Sequence, residues 1–144
     1  MGSLTKNFSL VEFACHDGTA FPKKLIPAVK ELAENLQKLR DEINWKIEHD
    51  GLIILDKNNK VVKEVRINII SGYRTAKHNK KIGGAKNSYH VKAMAADIVC
   101  GVLPASKIQE FILDLISRAQ MKQGGLGSYE TFTHYDIRGR KARW

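Results

Sequence analysis

Asn87-Ser88-Tyr89-His90-Val91-Lys92-Ala93-Met94-Ala95-Ala96-Asp97-Ile98 carries a carboxylate where an apolar strand is expected. The run from Met94 to Val99 is short and mostly apolar, and Asp97 stands inside it. A charge in such a setting costs free energy unless it is paired or bound to a metal. His90 precedes Asp97 by seven residues. An odd spacing does not place both on one face of a regular strand, but a turn after His90 can aim them at one point. On a helix, seven residues is close to two full turns, so the two would also share a face. The spacing permits joint ligation and does not demand it.

The tail beyond this stretch alternates, with Phe132, His134, Asp136 and Arg138 on one face and Thr133, Tyr135 and Ile137 on the other. On a strand His134 and Asp136 lie about 6–7 Å apart. Imidazoles and carboxylates are good zinc ligands, and three protein ligands with one open position is the pattern of a catalytic zinc site. His90, Asp97 and His134 form such a candidate set. His16-Asp17 follows Cys15 and looks metal-like in isolation, yet Gly18 favours a turn. His49 lies in a polar stretch and is expected to be exposed. Gly124-Gly125-Leu126-Gly127 has no following Gly-Lys-Ser/Thr and is no phosphate loop; it suits a backbone that approaches a cleft.

Upstream, Val29, Leu32, Leu36, Leu39 and Ile43 recur at helical spacing, with Pro27 in the first turn and Lys30, Glu34, Lys38 and Asp41 on the opposite face. Ser9-Leu10-Val11-Glu12 reads as a capping box opening a short helix that stops near Asp17-Gly18, and Ser106-Lys107-Ile108-Gln109 as a second box. Ile108, Phe111, Ile112, Leu115 and Ile116 then line a helix face. Thr75 to Ile82 holds one or two helical turns. Two β-rich runs around Asp56-Lys57-Asn58-Asn59-Lys60 predict a hairpin, and Arg66 to Ile70 a strand. Helices come first and strands dominate later, so the expected class is α+β. The 144 residues suit one domain, 1–144, with 51–66 as a peripheral hairpin insertion.

No apolar run approaches the ~20 residues of a membrane span, and no secretory signal is visible at the start. Cys15 and Cys100 read as buried free thiols. Lys and Arg number 24 against 15 Asp and Glu, a net charge of +9. Such a surface favours polyanions such as nucleic acid, anionic lipid or an acidic cell wall. No nucleic-acid motif or clustered basic helix accompanies the charge, so no specific nucleic-acid partner is expected.

Ser88-x-His90-x-x-Ala93-x-Ala95-x-Asp97 resembles the Ser-x-His-x-x-Gly-x-Ala-x-Asp signature of the hedgehog/DD-peptidase superfamily. This group includes zinc D-Ala-D-Ala carboxypeptidases and phage and bacterial peptidoglycan peptidases. Ile70-Ser71-Gly72-Tyr73-Arg74-Thr75 resembles its Ser-Gly-Tyr-Arg segment, and His78-Asn79 and Gly83-Gly84 its His-Asn and Gly-Gly pairs. Phe132 to Gly139 resembles its closing His-x-Asp strand, Trp144 its trailing aromatic, and Phe8 to Phe13 its opening segment. The likeness covers nearly the whole chain except the hairpin around Asn58.

The resemblance implies a small fold with a central antiparallel sheet and flanking helices. It implies Zn²⁺ held by His90, Asp97 and His134, and Arg74 gripping a substrate carboxylate or carbonyl. Ser88 either hydrogen-bonds near the metal or caps the loop, and His78 and Tyr129 are candidates to line the cleft. Relatives with Glu-x-x-His use that Glu as base; here Thr131 stands in its place. That leaves Glu130, one residue earlier, or Asp136, which is equally suited to orienting a ligand. Ala93 replaces the signature glycine and is expected to keep φ below zero. The implied function is a zinc metallopeptidase cleaving peptidoglycan stem peptides, as carboxypeptidase or endopeptidase. A phage or prophage lysis enzyme fits, made as a monomer in the cytoplasm and acting on the wall after release, or exported by an unseen route. The alternative is a non-catalytic wall-peptide-binding module of the same fold.

Overall fold

Pro27 sits in the first turn of helix α1, Ile26–His49, where its missing N–H costs nothing. Val29, Leu32, Leu36, Leu39 and Ile43 are all buried on one face of α1, while Lys30, Glu34, Lys38 and Asp41 are exposed. The computed structural model describes residues 2–144. Among them, α1 is followed by strand β1 (Asn68–Ser71), helix α2 (Ala76–Lys81), strand β2 (Ala95–Val99) and helix α3 (Ala105–Ser117). Strands β3 (Gly125–Ser128), β4 (Thr133–Asp136) and β5 (Ala142–Arg143) close the chain.

The sheet order is β1-β2-β4-β3-β5, which places β4 at its centre. The pairs β1–β2, β2–β4 and β3–β4 are antiparallel, as expected for this class. The edge pair β3–β5 is parallel, so the sheet is mixed rather than wholly antiparallel. The chain leaves β4 through Gly139 at φ 89° and returns along the far side of β3, which sets that direction. Helix α3 packs on β3 and β4 and against α1, so Ile108, Ile112 and Leu115 share one core with Leu32, Leu36 and Ile98.

Several local expectations shift. The first capping box is formed, with Ser9 N–H donating to Glu12 Oε2 at 2.7 Å. The helix it opens is a single 3-10 turn that ends at Phe13 rather than near Asp17. Tyr73 N–H donates to Phe13 O at 2.8 Å and pins that turn beside β1. The second capping box does not form. Pro104 occupies the N-cap in extended backbone, Ser106 lies inside α3, and Gln109 Nε2 donates to Thr133 Oγ1 instead. The hairpin is reduced to one antiparallel bridge, Leu55 to Val61, with Asp56 closing its turn through hydrogen bonds from Asn58 and Lys60 N–H. Its outward Ile53 and Val61 are exposed and have no sheet to join. Cys15 and Cys100 are buried and free.

Candidate functional site

Strand register brings Asp97 and His134 together. Asp97 on β2 is the direct antiparallel partner of His134 on β4. Such opposed residues hold their Cβ atoms about 4.5–5.5 Å apart. His134 Nδ1 accordingly lies 3.1 Å from Asp97 Oδ1. His90 arrives from a 3-10 turn, Tyr89–Lys92, and its Nε2 lies 3.3 Å from the same oxygen. One ligand atom from each of the three falls within 4.8 Å of the others, and all three residues are buried.

The turn depends on two neighbours. Ser88 caps it, its Oγ accepting from His90 N–H at 3.2 Å. Ala93 ends it in the left-handed region at φ 57°, ψ 28°. This corrects the expectation of φ below zero: the left-handed residue turns the chain within two positions, so β2 can carry Asp97 back beneath His90. A non-glycine residue pays about 1–2 kcal/mol for that conformation. The buried Ala93 methyl offsets part of it, since a buried CH₂ contributes about 0.8 kcal/mol. Ala93→Gly is therefore expected to change stability by no more than about 1 kcal/mol. Ala93→Val, which adds β-branching to positive φ, is expected to cost at least about 2 kcal/mol. Urea unfolding of the two variants checks both values.

Hydrogen bonds fix the ring tautomers. His90 Nδ1–H donates to the Gly72 carbonyl at 2.7 Å, which leaves the Nε2 lone pair facing Asp97. His134 Nε2–H donates to Asp136 Oδ2 at 2.8 Å, which leaves Nδ1 facing Asp97. Both nitrogens of His134 therefore meet carboxylates. Burial disfavours its charge, but the Asp136 and Asp97 carboxylates on either side, to both of which the protonated ring donates, outweigh this and raise its pKa. Asp97 is likewise penalised by burial, yet the His134 and His90 rings beside it hold its carboxyl well below the usual range. Two imidazole nitrogens and an ionised carboxylate converging on one point are a donor set suited to a divalent cation, which would replace any proton on the facing nitrogens.

A second ring of side chains holds the first. Asp136 is fully buried and accepts from Gly125 N–H at 2.8 Å, from Arg138 Nε at 2.8 Å and from Arg138 Nη2 at 2.7 Å, as well as from His134. A Cβ on residue 125 would lie 2.2 Å from Asp136 Oδ2, so only glycine lets this strand come so close. Arg74 donates to Ser71 Oγ at 3.1 Å, Asn79 Oδ1 at 3.2 Å and Asp97 Oδ2 at 3.2 Å. Its fork is thus turned onto Asp97 rather than held out for a substrate.

The cleft beside the three ligands is lined by Ser88, Tyr89, Lys92, His134, Arg138, Arg140 and Trp144. Arg138 lies over the Tyr89 ring at 4.3 Å and the Trp144 ring at 5.3 Å, and Trp144 packs against His134 at 4.9 Å. Tyr129 reaches this wall indirectly. It stacks on Phe132 at 4.3 Å and accepts a hydrogen bond from Trp144 Nε1 at 2.9 Å.

Two expected residues lie elsewhere. Glu130 is exposed in the β3–β4 turn and lines a different hollow with Val99, Pro104 and Phe132. The short turn swings it toward α3 and away from the ligands. His78 is half-buried in α2 beside His16, with ring centroids 6.4 Å apart, and does not line the cleft. Asn79, buried and bonded to Arg74, is the member of the His-Asn pair that serves the site. Its signal was a polar residue beside a motif histidine. Arg138 was foreshadowed by its place on the His134–Asp136 face.

No solved structure matches the chain significantly. A protein described as "Probable peptidoglycan L,D-endopeptidase MepK", from Haemophilus influenzae, is 33% identical over 87 residues. That match takes in 56% of this chain and 44% of the relative, so the chain spans under half of the relative's length. The Peptidase M15 family model matches residues 28–136, a span that begins in α1 and includes His90, Asp97, His134 and Asp136. With the whole candidate ligand set and most of the sheet inside that match, the chain belongs to the Peptidase M15 family.

Proposed function

We propose that the protein is a zinc-dependent peptidase that cleaves the stem peptides of peptidoglycan, as an endopeptidase or a carboxypeptidase. The observation that carries this is the convergence of His90, Asp97 and His134 within a peptidase-family chain. When bound there, zinc supplies a Lewis acid that polarises a carbonyl and makes water acidic enough to attack it near neutral pH. Asp136 holds His134 in the ligating tautomer, and Gly72 O does the same for His90. Arg74 Nη2 donates to the other oxygen of Asp97 and fixes the carboxylate in place. Tyr89, Arg138 and Trp144 stack into one wall of the cleft beside the candidate ligands. Lys92 and Arg140 give the cleft a positive lining suited to the free carboxylates of a stem peptide. The net charge of +9 favours approach to an anionic wall. Action on the wall after release from the cytoplasm, as a monomeric phage or prophage lysis enzyme, belongs to the same proposal.

One observation favours the rival, a wall-peptide-binding module. Among the described residues no carboxylate lines the cleft wall, and Asp136 has its oxygens filled by Arg138, Gly125 and His134. A good base titrates near the working pH. Burial alone would raise the Asp136 carboxyl, but Arg138 and then His134 hold it far below the usual range. Digestion of purified murein separates the two readings. The peptidase releases new amino groups, a chelator stops the release and added zinc restores it. Binding to murein with no release at any pH supports the module.

A further inference from the structure

A second set of metal-ligating side chains converges outside the cleft. Cys15, Asp17 and His78 each offer one ligand atom, and these atoms lie within 4.8 Å of one another. The turn expected at Gly18 is present, with Gly18 N–H donating to Cys15 O at 3.2 Å and φ at 84°. The sequence could not show that the turn docks on the start of α2, where it meets His78.

Each ligand is positioned before any ion arrives. Asp17 Oδ1 accepts from Thr19 N–H at 2.9 Å, and its Oδ2 accepts from the Thr75 hydroxyl at 2.9 Å. Thr75 caps α2 by accepting from His78 N–H at 3.0 Å, so carboxylate and helix start are fixed to each other. Cys15 is 5% exposed and carries a free thiol. His16 stands edge-on to His78, a second imidazole beside the group. Asp17 is exposed, which leaves the group open to solvent on one side.

The donor types select the ion. Calcium and magnesium take oxygen ligands, whereas a thiolate, an imidazole and one carboxylate suit zinc. We propose that Cys15, Asp17 and His78 form a second, structural zinc site, with His16 closing the fourth position. Binding exchanges the Cys15 S–H bond for an S–Zn bond and releases one proton to solvent, with no change of oxidation state. The site staples the N-terminal segment to α2. It lies next to Tyr73 and Arg74, the connection from which Arg74 reaches Asp97. It therefore acts on stability and on the placement of Arg74, not on the bond that is cut.

Cobalt tells the two sites apart, because His90, Asp97 and His134 contribute no sulfur. The full-length protein is stripped of metal, loaded with Co²⁺ and read in the near ultraviolet for thiolate-to-cobalt charge transfer, with zinc counted by elemental analysis in parallel. The expected result is the charge-transfer band and two zinc ions per chain. His90→Ala should keep the band and lose one zinc. Cys15→Ser should lose the band and one zinc while keeping the cleft zinc. Should Cys15→Ser fail to fold, His78→Gln at a half-buried position is expected to weaken cobalt binding in the band at least tenfold. A cobalt-loaded wild type without the band, or a Cys15→Ser protein that still holds two zinc ions, overturns the proposal. Loss of murein digestion with the band intact would count against the peptidase reading alone.

Discussion

Asp97→Ala is expected to lose murein-degrading activity by about a thousandfold or more and to fold less stably than the wild type. The first effect follows from removing a ligand whose metal contributes several kcal/mol to the transition state. Each 1.36 kcal/mol is a factor of ten in rate, so three such factors are a lower bound. The second effect follows from Arg74, whose side chain is 14% exposed and whose Nη2 loses its carboxylate. Removing one partner of a buried ion pair costs about 3–5 kcal/mol. Ser71 and Asn79 still hold the other nitrogens of Arg74, which puts the expected loss near the lower end. Asp97→Asn separates the two effects. It retains an acceptor for Arg74 but is a poor metal ligand, so activity should fall nearly as far while stability falls less. Urea unfolding and amino-group release check the pair. Wild-type activity in Asp97→Ala would remove this residue from the ligand set.

Asp136→Asn carries the other large effect. The wild-type carboxylate accepts from Gly125 N, Arg138 N, Arg138 Nε, Arg138 Nη2 and His134 Nε2. An amide offers one acceptor oxygen and turns two N–H donors toward groups that also donate. The expected cost is about 3–5 kcal/mol, the range for a broken buried pair. His134 also loses the acceptor that sets its tautomer, so zinc affinity should drop about 10–100-fold. Excess zinc should then recover part of the activity, as expected for a positioning residue and not for a ligand.

The pH dependence of stability follows from the same carboxylate. Burial works against its ionisation, but Arg138, His134 and Gly125 N–H lower the folded pKa well below the unfolded value near 3.9. Its contribution is therefore complete above about pH 4 and is lost as pH falls toward the folded pKa. Acid titration of stability below about pH 4 should be steeper for the wild type than for Asp136→Asn. Equal slopes would contradict the assignment.

The helices were legible because their apolar spacing is long and regular, as Val29 to Ile43 shows. The convergence of the candidate ligands was legible because Asp97 is a charge in an apolar strand and His134 shares a face with Asp136. What the pattern could not carry was non-local. Whether Arg74 points to a substrate or to Asp97 depends on β1 lying beside β2 with Ser71 opposite Asp97. Glu130 looked close to His134 in sequence, but a short turn sent it toward α3. Ala93 was expected at negative φ because alanine prefers it, and the demand for a reversal between His90 and Asp97 overrode that preference. The parallel pairing of β5 rests on two residues, too few to leave a periodic signal. Cys15, Asp17 and His78 were each visible, but only the fold brings them together.

The most direct test of the cleft as a metal centre is the zinc content of purified wild type and His90→Ala, measured side by side by elemental analysis. His90 contributes one of the three converging ligand atoms. The account predicts that His90→Ala, folded by circular dichroism, holds one zinc ion fewer per chain than the wild type. Equal zinc in the two proteins would contradict it.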